Sequence, residues 1–211
     1  MTFGGWIKKD DKLLAAPNFT PYVLTQVSDI GRGNGLTIDT AIDFTDEVMF
    51  FHRGLNGYAF CAMQMQNNSG KLRLRIYLQS GNASTVRIYI FSRKITTIPD
   101  YGIFFYKNSN IVFHDRCLPL FVKSVTNSTN LVLNGSYAFE SRYIHSDMNP
   151  DLGRYYYTFW GVLCSPERSA GGEVYFWDVS FPQGYFQSHP PTLMYIDTSV
   201  YDQYYRQSLD L

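Results

Sequence analysis

Cysteine is scarce: Cys61, Cys117 and Cys164 are odd in number and lack metal-ligand spacing, which argues against a disulfide framework and predicts buried free thiols. An excess of charge of either sign is missing as well. Lys plus Arg equals Asp plus Glu at 18 each, so no net field draws in nucleic acid or an anionic membrane. No run approaches the roughly 18 apolar residues of a membrane-spanning helix. The opening MTFGGWIKKDDK lacks the basic-then-apolar order of a signal peptide, so the expectation is a chain made in a cytoplasm. Helical periodicity is absent too, and no segment reads as three turns of helix.

Catalytic signatures are equally thin. There is no GxSxG elbow and no acid pair suited to glycoside hydrolysis. Ile30–Gly35 (IGRGNG) has the glycines of an anion loop, but LTID after it reads as a strand where a phosphate loop needs a helix. His114 and Asp115 are consecutive, and on a strand they point to opposite faces. His145 and Asp147 can share a face, with Asp151 close by, yet no complete ligand set follows. The reading is therefore not an enzyme, with no catalytic, cofactor-binding or metal residues and no cofactor.

What is present is β-forming sequence. Aromatics make up 17% of the chain, with Tyr and Phe far outnumbering Trp, a balance that fits pleated sheets. In KLRLRIYLQ, Leu72, Leu74, Ile76 and Leu78 share one face while Lys71, Arg73, Arg75 and Tyr77 share the other. TVRIYIF, residues 85–91, alternates in the same way after the turn SGNAST, so the two runs are read as a hairpin with Arg73, Arg75 and Arg87 on one solvated face. Further strands are expected at 6–7, 22–27, 36–38, 48–51, 58–65, 103–106, 111–114, 120–125, 131–133, 136–140, 155–163 and 173–179. The sequons at Asn18, Asn67, Asn82, Asn127 and Asn134 lie between these runs and read as turn chemistry.

The chain also repeats itself. With Gly4 set on Gly102, Trp6 falls on Phe104, Lys9 on Lys107, Leu13 on Ile111, Leu14 on Val112, Pro21 on Pro119, Val23 on Phe121, Leu24 on Val122 and Val27 on Val125. Each copy opens with a Gly, a short aromatic strand, a polar turn (KKDDK, then YKNSN) and a second apolar strand. The fold class is all-β: two tandem, related β-sandwich domains of jelly-roll or Ig-like type packed together, 1–98 and 99–190, with an aromatic C-terminal extension, 191–211.

In that extension Tyr195, Tyr201, Tyr204 and Tyr205 are too aromatic for an ordinary disordered end. They are candidate partner-binding residues, on an arm that either packs back or docks on a neighbour. RYYYTFWG and VYFWD supply the alternative, a ligand platform of Tyr156, Trp160 and Trp177, although strand alternation buries one set of those rings.

The phrase YGIFFYKNSNIVFHDRCLPLFV, through Gly102, Phe104, Tyr106, Asn108, Val112, Phe113 and Asp115, resembles the opening of small proteins encoded in the tail regions of lambda-like tailed bacteriophages. The first copy matches less well, with Ala15, Ala16 and Pro17 in place of the aromatic and acidic residues. The resemblance implies a non-enzymatic structural or accessory component of a virion, at the tail tip or fibre. Its partners would be other tail proteins or further copies of itself. The alternative is a module that binds a host cell-surface receptor or carbohydrate.

Overall fold

The computed structural model describes residues 7–9, 12–15, 21–33, 35–107, 109–126, 131–141, 156–177 and 192–211. In the first half of the chain the strands are β1 (Ile7–Lys9), β2 (Lys12–Ala15), β3 (Val23–Gly31), β4 (Thr37–Asp43), β5 (Val48–Gly54), β6 (Ala59–Asn68), β7 (Lys71–Gly81) and β8 (Thr85–Ser92). In the second half they are β9 (Phe104–Lys107), β10 (Asn110–His114), β11 (Lys123–Thr126), β12 (Val132–Asn134), β13 (Tyr137–Glu140), β14 (Tyr156–Cys164), β15 (Arg168–Trp177) and β16 (Thr192–Asp197), followed by a helix, α1 (Ser199–Leu209). Among the described residues the protein is all-β apart from this helix. Among the described residues no helix is long and apolar enough to cross a membrane.

Among the described residues twelve strands form two six-stranded antiparallel sheets. Sheet I has the order β11-β16-β13-β5-β8-β3, and sheet II the order β12-β15-β14-β6-β7-β4. The remaining four make the hairpins β1–β2 and β9–β10. Pairing in the second half repeats that of the first, strand for strand. β8 lies between β3 and β5 as β16 lies between β11 and β13; β7 lies between β4 and β6 as β15 lies between β12 and β14. Lys9 and Lys107, equated in the sequence alignment, each end the first strand of their hairpin. The inner strands meet at a central seam, with Phe139 opposite His52 in sheet I and Cys164 opposite Ala59 in sheet II. Hydrogen bonding therefore runs through both sheets across the sequence boundary near residue 98.

Alternation explains the core. Leu72, Leu74 and Ile76 of β7 meet Phe50, Val86, Ile88 and Ile90 of sheet I in one cluster, while Arg73 and Arg75 lie on the other face. In the second half Leu131, Phe139, Val162 and Cys164 make the corresponding core. Full burial of such a side chain is worth roughly 1.5–3 kcal/mol, so these clusters carry most of the stability. All three cysteines are free and buried, and Cys61 and Cys164 lie on the corresponding strands β6 and β14.

Two expectations are corrected. The first is the hairpin of 71–79 with 85–91: β7 pairs with β4 and β6, whereas β8 pairs with β3 and β5 in the other sheet. The intervening residues carry the chain across the sandwich, with the N–H groups of Asn82 and Ala83 both donating to Tyr58 O at 3.0 Å and Ala83 buried at the crossing. The real hairpin is β6–β7, closed by Ser69 and Gly70, both at left-handed φ (52° and 85°), as a two-residue turn with the strand twist requires. In consequence the arginines divide between outer faces: Arg73 forks onto Asp39 (2.6 and 3.1 Å), and Arg87 onto Asp29 (2.7 and 2.6 Å).

The second correction is the helix. Residues 199–209 form about three turns, with Asp202 in the first turn and Arg206 in the last, signs that suit the helix dipole. Tyr201, Tyr205 and Ser208 recur at helical spacing and face sheet I, where Tyr201 meets Phe91 edge-on at 5.2 Å. Tyrosine is a modest helix former, so it is this packing that holds the helix. The segment before it, β16, sits in the middle of the second half's share of sheet I as β8 does in the first.

Candidate functional site

At one end of the seam, three connections converge: Leu55–Tyr58 between β5 and β6, Asn82–Ser84 between β7 and β8, and Ser165–Glu167 between β14 and β15. They enclose an open cleft of about 450 Å³. Its walls are fixed by side chain to backbone hydrogen bonds. Asn56 Oδ1 accepts from the N–H groups of Ser84 (3.0 Å) and Thr85 (3.3 Å), and Asn82 Oδ1 accepts from Tyr58 N–H (2.8 Å). Ser165 Oγ donates to Arg168 O (2.8 Å) and accepts from Arg168 N–H (3.0 Å). Behind them the backbone is crowded: a Cβ on Gly54 would stand 2.1 Å from Gly57 O and 3.0 Å from Cys164 O, so only glycine fits where the halves touch. Tyr58 is half-buried, while Asn82, Glu167 and Arg168 are exposed. Among the described residues neither Glu167 nor Arg168 enters an ion pair. Sequence reasoning missed this cleft. Its local signal is two short Gly/Asn stretches, GLNGY and GNAS, that read as ordinary turns.

The nominated tyrosines take different places. Tyr195 stacks on Phe139 (5.2 Å, 17°) and meets Tyr137 edge-on. Tyr201 is buried, its hydroxyl donating to Pro119 O (2.9 Å) and accepting from Phe121 N–H (3.0 Å), and burial pushes its pKa up to about 12. Tyr205 lies under the Arg87 guanidinium, 5.1 Å from its ring, and Tyr204 is exposed. Tyr156 pairs in register with Trp177 across β14–β15, and Trp160 with Glu173; the side chains of these three aromatics lie outside the described residues, as do His145, Asp147 and Asp151 entirely. The glycines of 30–35 lead from β3 into strand β4. Burial pushes the Cys117 and Cys164 thiols up to about 12 and raises that of Cys61, so none supplies a thiolate near neutrality. Among the described residues no group of three or more His, Cys, Asp or Glu is arranged to hold a metal ion.

A second feature escaped the sequence because MFFHRG reads only as a strand. His52 is wholly buried at the seam, its Nδ1 2.6 Å from Ser141 Oγ and its ring edge-on to Phe60. Burial lowers its pKa from 6.5 to about 4. The unfolded chain therefore takes up this proton first, and stability present above about pH 6.5 is lost as pH falls toward 4, by about 3 kcal/mol in all. Urea midpoints between pH 7 and 4.5 should fall accordingly, and His52→Asn should flatten that slope; an unchanged slope in the variant would refute the assignment.

In comparisons with protein-family models, with curated proteins and with solved structures, nothing matches this chain.

Proposed function

We propose that the chain is a non-enzymatic structural or accessory component of a bacteriophage tail, at the tip or fibre, acting through contacts with further copies of itself or with other tail proteins. Three things support the reading. The opening phrase of the second half resembles phage tail-region proteins. The pairing pattern, β3-β8-β5 over β4-β7-β6 and again β11-β16-β13 over β12-β15-β14, is the nested order of a jelly roll, and we read the chain as two such units fused side by side. The observation that carries most weight is the stretch of chain from 98 to 122, in which Ile98, Tyr101, Ile103, Tyr106, Phe121 and Val122 are all large, hydrophobic and exposed. They make up half of the exposed large hydrophobics among the described residues, and we read this concentration along one stretch of chain as a segment that another protein covers.

The protein should therefore run as a defined oligomer by light scattering, and Tyr101→Ser with Ile103→Ser and Tyr106→Ser should reduce it to a monomer of 24.3 kDa. A wild-type monomer would remove self-assembly. Absence of the chain from purified virions of the encoding phage, by mass spectrometry, would remove the tail assignment altogether.

A further inference from the structure

We infer that the seam cleft binds a neutral glycan, with Tyr58, Asn82, Glu167 and Arg168 as the recognising side chains. The inference goes beyond the tail reading and does not rest on it. The cleft's volume, about 450 Å³, lies within the range of small-ligand sites and suits one or two sugar rings. Its lining has the required chemistry. Tyr58 contributes an aromatic ring and a hydroxyl, and Pro166 a further apolar surface. With its Oδ1 engaged by Tyr58 N–H, Asn82 turns its amide hydrogens to donation. Glu167 accepts and Arg168 donates; both line the cleft and neither enters an ion pair among the described residues, so both are available to sugar hydroxyls.

Three alternatives fit less well. One carboxylate and one guanidinium cancel, so nothing in the lining selects a phosphate or a free cation. None of the exposed large hydrophobics lies in the cleft, so it lacks the apolar anchor of a protein-docking hot spot. The hydrogen bonds of Asn56, Asn82 and Ser165 hold the walls before any ligand arrives, which reduces the ordering cost that weakens sugar binding on mobile loops. Residues from both halves line the cleft, so only the joined sandwich makes it.

The test is a titration of the full-length, 15N-labelled protein with glucose, galactose, mannose and N-acetylglucosamine, followed by NMR. At least one sugar should give saturable shifts at Tyr58, Asn82, Glu167 and Arg168 with a Kd of about 1–10 mM, as expected for so small a ligand. Tyr58→Ala should weaken binding at least about tenfold. Asn82→Asp keeps the acceptor for Tyr58 N–H but removes the donor, so it should weaken binding while leaving the melting temperature in place. If Tyr58→Ala loses the fold, Glu167→Gln and Arg168→Gln, both exposed, serve instead. A parallel arm with purified bacterial surface polysaccharide separates a polymer-borne glycan from a free sugar, and binding of either supports the site. The proposal is overturned by no shift at these residues with any sugar or polysaccharide, by shifts centred on Tyr156, Trp160 and Trp177, or by a response to inorganic phosphate alone.

Discussion

A chain ending at Pro190 is expected to lose cooperative folding altogether. That truncation removes β16, whose Leu193, Met194 and Tyr195 pair with Val125, Ser124 and Lys123 of β11, and whose Tyr195, Ile196 and Asp197 pair with Phe139, Ala138 and Tyr137 of β13. β11 would have no partner, and β13 would keep only β5. The helix goes as well, uncovering Leu24, Tyr89 and Phe91, whose burial on the outer face of sheet I depends on Tyr201. Each such ring or branched side chain is worth roughly 1.5–3 kcal/mol when buried, against a total stability of about 5–15 kcal/mol for a domain. Near-UV circular dichroism and urea unfolding read the result. A chain of 190 residues that unfolds cooperatively with native near-UV signal would show that the C-terminal segment is dispensable, as an arm made for a neighbour would be. A milder truncation after Asp197 keeps β16 and tests the helix alone.

Asp202→Ala should destabilise the protein by about 3–5 kcal/mol, because it strands a buried cation. The Arg53 side chain is 6% exposed, and its guanidinium meets Asp202 at 2.8 Å. The same carboxylate receives Arg87 at 3.1 Å and the Tyr89 hydroxyl at 2.6 Å, so one residue of α1 satisfies three groups on sheet I. Without it Arg53 keeps only the hydroxyls of Thr198 (2.6 Å) and Ser136. Arg53→Met should cost less. It leaves Asp202, 25% exposed, with Arg87, Tyr89 and water, and leaves the Ser136 and Thr198 hydroxyls, 2.7 Å apart, bonded to each other, so no buried charge is stranded. Urea midpoints for the two variants measure the order, and Arg53→Met as the worse of the pair would contradict the account. The cluster also joins the halves: Arg53, Arg87 and Tyr89 come from the first, and Ser136, Thr198 and Asp202 from the second.

The sequence by itself determined the element type over most of the described residues and, in strands such as β7, which face is buried, whereas β5 and β8 are buried on both faces. Leu72, Leu74 and Ile76 lie inward and Arg73 and Arg75 outward as their alternation requires, the two Lys-ended hairpins stand where the repeated phrase puts them, and the cysteines are buried thiols. These are local properties, since a period of two is written in neighbouring residues. Tertiary structure decided which strand each one meets. Both β7 and β8 alternate, and alternation names a buried face without naming a partner, so two runs that read as a hairpin belong to opposite sheets. The helix was hidden for a related reason: Tyr201, Tyr205 and Ser208 have its spacing, but only the apolar face of Leu24, Tyr89 and Phe91 gives that spacing something to cover. The cleft and the Arg53–Asp202 pair draw on residues more than 80 positions apart. Such contacts exist only once the halves are joined along β5–β13 and β6–β14, and no local pattern can specify them because their energy comes from surfaces that meet only in the folded chain.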